Sequence, residues 1–151
     1  EWLKPVSTLP IVGNGDLHRA DQVKYRLSNT KTDALMIARG ALRSPFIFLE
    51  SLLPENDGTY FNGRDYWEVI QRLYEYTSAH YENERTCLVQ MRKLIVWFAA
   101  GLPKAAKFRG EIFSSKDLTD SMKISEDYYL SLENSRKNIN YEEAFMNSGH
   151  G

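Results

Sequence analysis

Two short apolar runs near the start of the chain each end in glycine and polar residues, a pattern suited to anion binding. The first run ends in Asn14-Gly15-Asp16, and the second ends in Ala38-Arg39-Gly40. Glycine lets a backbone approach an anion closely, and arginine pairs with phosphate oxygens through two parallel hydrogen bonds. Most glycines that follow strands only make turns, so one such turn would be weak evidence. Two in succession, one of them with an arginine, indicate a phosphate-binding site.

A block of basic residues in the second half of the chain is the other candidate for chemistry. From Arg85 to Arg109 there are six basic residues and no acid, whereas Glu50 to Glu84 holds eight acids against two arginines. A protein with a net charge of only −1 can therefore still present an anion-binding face. The alternative interpretation of this block is a solvated helix surface.

A repeated strand–helix unit is expected to place the two glycine turns. Brief apolar runs that stop abruptly are typical of strands buried on both faces of a parallel sheet. We predict strands at 10–12 and 34–37 and helices at 16–29 and 44–53. The first helix would turn Ala20, Val23 and Leu27 inward. The second would begin with Ser44 as its cap and Pro45 in its first turn.

From residue 64 onward the pattern predicts helices only. The turn-rich stretch 55–63 is interpreted as a linker. The first helix begins with a capping-box-like pair, Asp65 and Glu68, and three more follow, ending near 101, 113 and 133. Trp67, Trp97 and Phe98 are assigned to the core because their spacing is that of a buried helical stripe.

The predicted fold class is α/β followed by an all-α helical bundle, with most of the chain helical. Two strands leave open edges and cannot make a stable parallel sheet. A (β/α)₈ barrel needs about 250 residues, and this chain supplies about two of its eight units. We therefore expect the C-terminal piece of a larger barrel protein, which would self-associate through its exposed strands when isolated. The expected segments are barrel 1–54, linker 55–63, helical domain 64–134 and polar tail 135–151, frayed over its last five residues.

Composition points to a soluble chain in a reducing compartment. The single cysteine, Cys87, excludes an intramolecular disulfide, and the three histidines are too scattered for a zinc site. No run approaches the roughly 18 apolar residues of a membrane span, and the first residues show no secretory pattern. We expect a cytoplasmic location and no membrane contact.

Taken together, the two turns and the helical segment resemble the tRNA-dihydrouridine synthases. The resemblance covers roughly residues 1 to 113, with the segments in the order and spacing of the family. The segments that carry it are Leu9-Pro10-Ile11-Val12-Gly13-Asn14-Gly15-Asp16, then 34–42 and 44–48, then Met91-Arg92-Lys93, Trp97-Phe98, Gly101-Leu102-Pro103 and 105–109. The glycine turns alone occur in several flavin barrels, and the helical signature makes the match specific.

The resemblance implies an FMN enzyme that reduces the C5=C6 bond of uridines in tRNA with NADPH. On that template the FMN phosphate end would be held, largely through backbone N–H groups, by Asn14, Gly15, Asp16, Ala38 and Arg39. The family more often has glycine where Ala38 stands, and a methyl group is tolerable there unless the backbone needs a positive φ. The family's catalytic cysteine falls outside this chain, and Cys87 is expected to be a buried side chain instead. The chain alone is therefore expected to be inactive.

The resemblance also implies that the helical domain contacts tRNA. The candidates are Arg85, Arg92, Lys93, Lys107 and Arg109. Arg92 and Arg109 are the foremost of these, although either could instead pair with acids of the Glu50–Glu84 segment. His80 is expected to be a packed helix-interface histidine, with RNA contact as the alternative. Leu94 and the pair Ala99-Ala100 depart from the family's usual histidine and lysine, and these departures are expected to weaken or shift RNA contacts without changing the fold.

Two other functions remain open from the sequence. One is another FMN- or phosphate-binding barrel oxidoreductase with an unrelated helical appendage, which would not need the acid-free basic block. The other is a non-catalytic RNA-binding module that works without a flavin site.

Overall fold

The computed structural model describes residues 4, 6–54, 60–132, 139–143 and 145–146. These residues form two compact units, one up to Pro54 and the other from Tyr60 onward. The first unit contains β1 (Val12–Gly13), α1 (Ala20–Asn29), β2 (Ala34–Leu35), α2 (Arg39–Arg43) and α3 (Ile47–Leu52). The second contains α4 (Gly63–His80), α5 (Glu84–Phe98), α6 (Ala105–Ser114) and α7 (Leu118–Leu130). Within the described residues, none of the helices combines the length and the apolar character that crossing a membrane requires.

The two strands of the first unit are parallel, as the strand–helix–strand pattern predicts. Val12 lies opposite Ala34 and Gly13 opposite Leu35. The ladder continues beyond these pairs, because the N–H of Asp33 donates to the Ile11 carbonyl at 2.8 Å and that of Met36 donates to the Gly13 carbonyl at 2.8 Å. Each strand is shorter than predicted, and β1 begins two residues later than expected.

Only one face of this sheet is buried. Leu35 and Ile37 pack on a small core formed by Leu17, Val23 and Ile47. On the opposite face, Val12 of β1 is 59% exposed, and Met36, directly after β2, is 49% exposed. The predicted burial of both faces is therefore wrong for this unit as it stands.

The first helix also begins later than predicted, at Ala20 rather than at 16. Asp16 has a φ of 50°, which is outside the helical range. The Gln22 side chain accepts hydrogen bonds from the N–H groups of His18 at 2.9 Å and Arg19 at 3.1 Å. These two N–H groups lie just before the first turn of the helix, where the helix itself supplies no acceptor. Leu27, which was expected to face inward, is 43% exposed.

The predicted helix at 44–53 is wrong at its start. A separate short helix, α2, occupies the predicted turn after β2, and Ser44 ends it by donating its N–H to the Gly40 carbonyl at 2.9 Å. Helix α3 begins only at Ile47 and has no side-chain cap. Ser44 therefore terminates one helix instead of starting the next.

In the second unit the four predicted helices are present, and side-chain caps set the starts of three of them. Asn62 accepts hydrogen bonds from the N–H groups of Arg64 at 2.8 Å and Asp65 at 3.4 Å, so α4 begins inside the predicted linker. Asp65 completes the box by accepting from the Asn62 N–H and is not itself the cap. Asn83 caps α5, and Asp117 caps α7, which therefore begins at Leu118 and not at the expected 115.

The core of this unit is aromatic. Helix α4 packs against α5 and α7, and α6 packs against both of the latter. Tyr129 is completely buried, stacks on Tyr66 with ring centroids 5.9 Å apart, and donates its hydroxyl to the Ile95 carbonyl at 2.7 Å. Burial raises the pKa of Tyr129 well above its usual value. Trp67 and Phe98 are buried as predicted, and Trp97 is half-buried.

The described part of the predicted polar tail packs on the second unit. The N–H of Asn140 donates to the Gly101 carbonyl at 2.9 Å, and Phe145 is buried. We call the described residues 139–143 and 145–146 the C-terminal strap. The expected fraying at 147–151 concerns residues outside the described part of the chain.

Candidate functional site

The two glycine turns meet at one edge of the parallel pair. Because the carboxyl ends of parallel strands lie at the same edge, the residues after β1 come close to those after β2. Together they line a cavity of about 250 Å³. Its lining residues are Asn14, Gly15, Asp16, Leu17, Ala38, Arg39 and Gly40. All five residues predicted to hold the FMN phosphate are in this set, and their binding of FMN stays a prediction.

The glycines of these turns serve different purposes. A methyl group on Gly15 would meet nothing within 4 Å, so space beside this backbone is open. A methyl group on Gly40 would lie 3.1 Å from the Leu17 carbonyl carbon and closer still to its oxygen. Gly40 therefore allows the second turn to approach the first, a role that differs from the expected approach to an anion. The φ of Ala38 is −104°, so its methyl group is compatible with the backbone.

The electrostatics of the cavity centre on Asp16. Its carboxylate contacts the Arg39 guanidinium and lies 3.0 Å from Nε2 of His18. The Arg39 and Asp16 side chains are 40% and 61% exposed, so the ion pair is solvated and contributes at most about 1 kcal/mol. The Asp16 carboxylate thus occupies the place that a phosphate would take on Arg39. The open space beside the backbone of Gly15 and the exposed Arg39 guanidinium are compatible with a phosphate group, whose binding here stays a prediction.

A second cavity, of about 700 Å³, adjoins the first and shares Gly15, Asp16 and Leu17 with it. Its further lining residues come from the start and first turns of α1: Arg19, Asp21, Gln22, Tyr25 and Arg26. Sequence reasoning missed these residues. Arg19, Gln22 and Arg26 are spaced three and four apart, which places them on one helical face, and that spacing was the available signal.

The basic block lies on α5 and α6, in the second unit. Arg85, Lys93 and Lys107 are exposed, and Lys107 forms an ion pair with Glu111 at 3.5 Å along α6. Arg92 and Arg109 are half-buried and have partners within the chain. The exposed members are accessible to a polyanion, whereas the other two first have to release or share their partners.

Arg92 ties α5 to the end of α6. Its Nε and Nη2 donate to the Ser115 hydroxyl at 3.3 and 3.0 Å, and Nη2 also donates to the Ser115 carbonyl. The Ser115 hydroxyl lies 2.6 Å from that of buried Ser121, so the arginine joins a polar chain that reaches α7. The partner is a serine and not an acid of the Glu50–Glu84 segment.

Arg109 pairs with a carboxylate from the C-terminal strap. Its Nη2 lies 3.3 Å from Oε1 of Glu143, and Oε2 of the same carboxylate accepts the Gly101 N–H at 3.0 Å. Glu143 is 34 residues away in sequence, which sequence spacing alone does not reveal. Contact of Arg92 and Arg109 with RNA stays a prediction.

Two further expectations concern single side chains. Cys87 is buried, with its Sγ 3.6 Å from the Ser78 hydroxyl, as predicted for a structural cysteine. His80 is exposed at the end of α4, and among the described residues its ring contacts only that of Tyr81, edge to face. The prediction of a packed interface histidine is therefore wrong. Leu94 is half-buried, and Ala99 and Ala100 are buried.

Comparison with known proteins gives a consistent result for both units. The family model described as Dihydrouridine synthase (Dus) matches residues 3–135. "tRNA-dihydrouridine synthase B" of Pasteurella multocida (strain Pm70) is 30% identical over 142 residues, which cover 91% of this chain and 42% of that protein. Proteins named "Probable tRNA-dihydrouridine synthase" from Rickettsia conorii and Mycobacterium leprae are 28% and 27% identical, covering 85% and 76% of this chain. The matches cover 40% and 30% of those two proteins, so the chain spans less than half the length of each relative.

Proposed function

This chain belongs to the dihydrouridine synthase family, and we propose that it is the C-terminal portion of a flavin-dependent enzyme that reduces uridines in tRNA. The reaction would saturate the C5=C6 bond of the uracil ring, with NADPH as reductant. The names of the relatives support the substrate class. The observation that carries the role of this chain is the cavity shared by the two turns.

In this proposal the first unit holds the phosphate end of FMN. When bound, FMN supplies the hydride that is delivered to the uracil ring. Arg39 would neutralise the phosphate, and the backbone amides of 14–16 and 38–39 would complete the anion site. Asp16 would contribute its backbone, and its carboxylate would have to release Arg39 for the phosphate to bind there.

The exposed sheet face supports a place for these strands in a larger barrel. Val12 and Met36 point away from the core of the first unit and expose apolar surface. We propose that they face the interior of a (β/α)₈ barrel whose other strands lie outside this chain. In their absence we expect self-association through β1 and β2, which light scattering after size exclusion would detect as a mass above that of one 17.5 kDa chain.

The second unit is proposed to bind tRNA through its basic block. Lysine and arginine contacts to phosphates supply salt-dependent affinity and set the orientation of the RNA. The family model covers this unit as well as the first. That coverage disfavours an unrelated helical appendage on some other flavin barrel.

The test uses the natural protein that contains this chain, purified with its flavin. We expect Arg39→Ala to lower the bound FMN per protein at least tenfold and to abolish dihydrouridine formation in unmodified tRNA. Lys31→Ala is the matched control, because Lys31 is exposed and outside both cavities. Full flavin retention by the Arg39 variant would refute the phosphate site. A wild-type protein that binds tRNA but no flavin would favour the non-catalytic RNA-binding module.

A further inference from the structure

Glu143 places a carboxylate on two donors that belong to the proposed RNA-binding unit. One donor is the Gly101 N–H, 3.0 Å from Oε2, and the other is the Arg109 guanidinium, 3.3 Å from Oε1. A backbone amide beside an arginine, each bonded to a different oxygen of one anion, is an arrangement that also suits a nucleic-acid phosphate. The carboxylate therefore occupies an anion site that an RNA phosphate fits.

The turn between α5 and α6 is shaped for such an approach. Gly101 has a φ of 82°, which side-chain-bearing residues rarely adopt, and its N–H is thereby turned toward Glu143. The same turn carries Lys104, which is exposed, and α6 continues with exposed Lys107. Lys104 and Lys107 line one cavity together with the acids Glu111 and Asp127, and the carboxylate partner of Arg109 is Glu143.

The carboxylate that neutralises Arg109 comes from far along the chain. The stretch from Arg85 to Arg109 contains no acid, and Lys107 has its own partner in Glu111. Glu143 reaches Arg109 across 34 residues of sequence. Its charge is also felt at Tyr128, whose pKa burial raises and the Glu143 carboxylate raises further.

The strap that brings Glu143 to this site is held by a backbone hydrogen bond, a buried aromatic ring and interactions of Tyr141 and Met146. The N–H of Asn140 donates to the Gly101 carbonyl at 2.9 Å, and Phe145 is buried. The strap forms neither a helix nor a strand in its described residues. The lack of a regular hydrogen-bond ladder in these residues is a feature of a segment that opens at a lower free-energy cost than a helix does.

We propose that the C-terminal strap is an intramolecular competitor of RNA, with the Glu143 carboxylate seated where a tRNA phosphate binds Gly101 and Arg109. Binding of tRNA displaces Glu143 and releases the strap. The strap thereby lowers the affinity of the second unit for RNA and makes it more selective for polyanions that bridge several basic residues. This inference rests on the proposed tRNA-binding role of the second unit.

The test compares tRNA binding by the 151-residue chain and two variants that lose one acid each. Glu143→Gln keeps the shape of the side chain but removes the negative charge that pairs with Arg109. Glu142→Gln makes the same change in net charge at an exposed neighbour that forms no ion pair with the described residues. We expect Glu143→Gln to tighten binding about three- to tenfold at low salt and Glu142→Gln to change it less than twofold.

Two more measurements address the strap itself. Phe145→Ala removes its apolar anchor without changing charge, and we expect it to tighten tRNA binding as well. Hydrogen exchange at the Asn140 amide should accelerate several-fold when tRNA is added, since displacement breaks its bond to Gly101. Thermal unfolding of each variant shows that the second unit remains folded at the temperature of the binding assay.

The outcomes separate the two proposals. Equal tightening by both glutamine variants would show an effect of net charge alone and overturn the competitor. If the wild-type chain binds tRNA and Glu143→Gln leaves the affinity unchanged or weaker, Glu143 is only a structural tie. If none of the variants binds tRNA, the RNA-binding role fails and the competitor fails with it.

Discussion

A single methyl group should have opposite effects at two glycines of the second unit. Gly63 lies at the start of α4 against the end of α7, where a methyl group would be 2.9 Å from the Tyr129 carbonyl carbon and closer to its oxygen. Gly110 lies inside α6, where a methyl group would meet nothing within 4 Å. The same substitution therefore creates a backbone clash at one site and only better helix propensity at the other.

The magnitudes follow from these surroundings. Overpacking against a rigid neighbour costs about 1–3 kcal/mol, and a carbonyl oxygen held in a helix cannot move aside as a side-chain end can. We expect Gly63→Ala to lower the free energy of unfolding by about 1–2 kcal/mol after a small gain in helix propensity. Gly110→Ala should raise it by about 0.5–1 kcal/mol. For a unit of this size, 1 kcal/mol corresponds to roughly 4–8 °C in Tm.

The assay is urea unfolding followed by tryptophan fluorescence. A Trp2→Phe background leaves Trp67 and Trp97 as reporters, and both belong to the second unit. The slope of the transition should stay the same in both variants, because the surface exposed on unfolding does not change. A Gly63→Ala variant as stable as the parent, or one that moves in the same direction as Gly110→Ala, would refute the close packing of α4 on α7.

Three further predictions concern the site and the core. Gly40→Ala should destabilise the first unit by about 1–3 kcal/mol. Gly15→Ala should leave the thermal unfolding of this unit unchanged and yet weaken FMN retention in the flavin-loaded natural protein. Equal effects of the two variants on unfolding would contradict the different roles of the two glycines. Arg92→Ala should lower the stability of the second unit by about 1–3 kcal/mol, because charged hydrogen bonds to Ser115 are lost, and it should also lower the tRNA affinity. Lys93→Ala should lower only the affinity. An Arg92 variant with unchanged urea unfolding would argue against the tie between α5 and the end of α6. The raised pKa of Tyr129 predicts that stability is unaffected below pH about 10, the pKa of tyrosine in the unfolded chain, and falls above it. The fall follows because the unfolded chain then releases a proton that the folded chain retains. Tyr129→Phe should flatten this alkaline decline in a pH series of urea midpoints, and an unchanged decline would assign it to other groups.

The sequence predicted the elements of the second unit better than those of the first. Helices α4 to α7 show long apolar periodicity, and the starts of α4, α5 and α7 are marked by Asn and Asp caps that act within three residues. In the first unit the apolar runs are short. Leu27 fits an inward helical stripe in sequence but is exposed, because only part of α1 packs on this small core.

The candidate phosphate site shows a similar division. The residue types after the two apolar runs indicated which side chains would come together, since parallel strands align their carboxyl ends. The ion pair of Asp16 with Arg39 was not foreseen, because the two residues come from different turns. The separate role of Gly40 depends on the carbonyl of Leu17, which only the folded backbone brings near.

The amino-acid sequence by itself was enough to assign this chain to the dihydrouridine synthase family and to predict its parallel strand pair, its four long helices and its two glycine turns. These features depend on residue type and on spacing over a few positions. Only the tertiary structure showed that Arg92 binds Ser115 and that Arg109 binds Glu143, 23 and 34 residues away. Such partners are set by how helices pack and where the chain returns, and a charge pattern along the sequence does not contain that information.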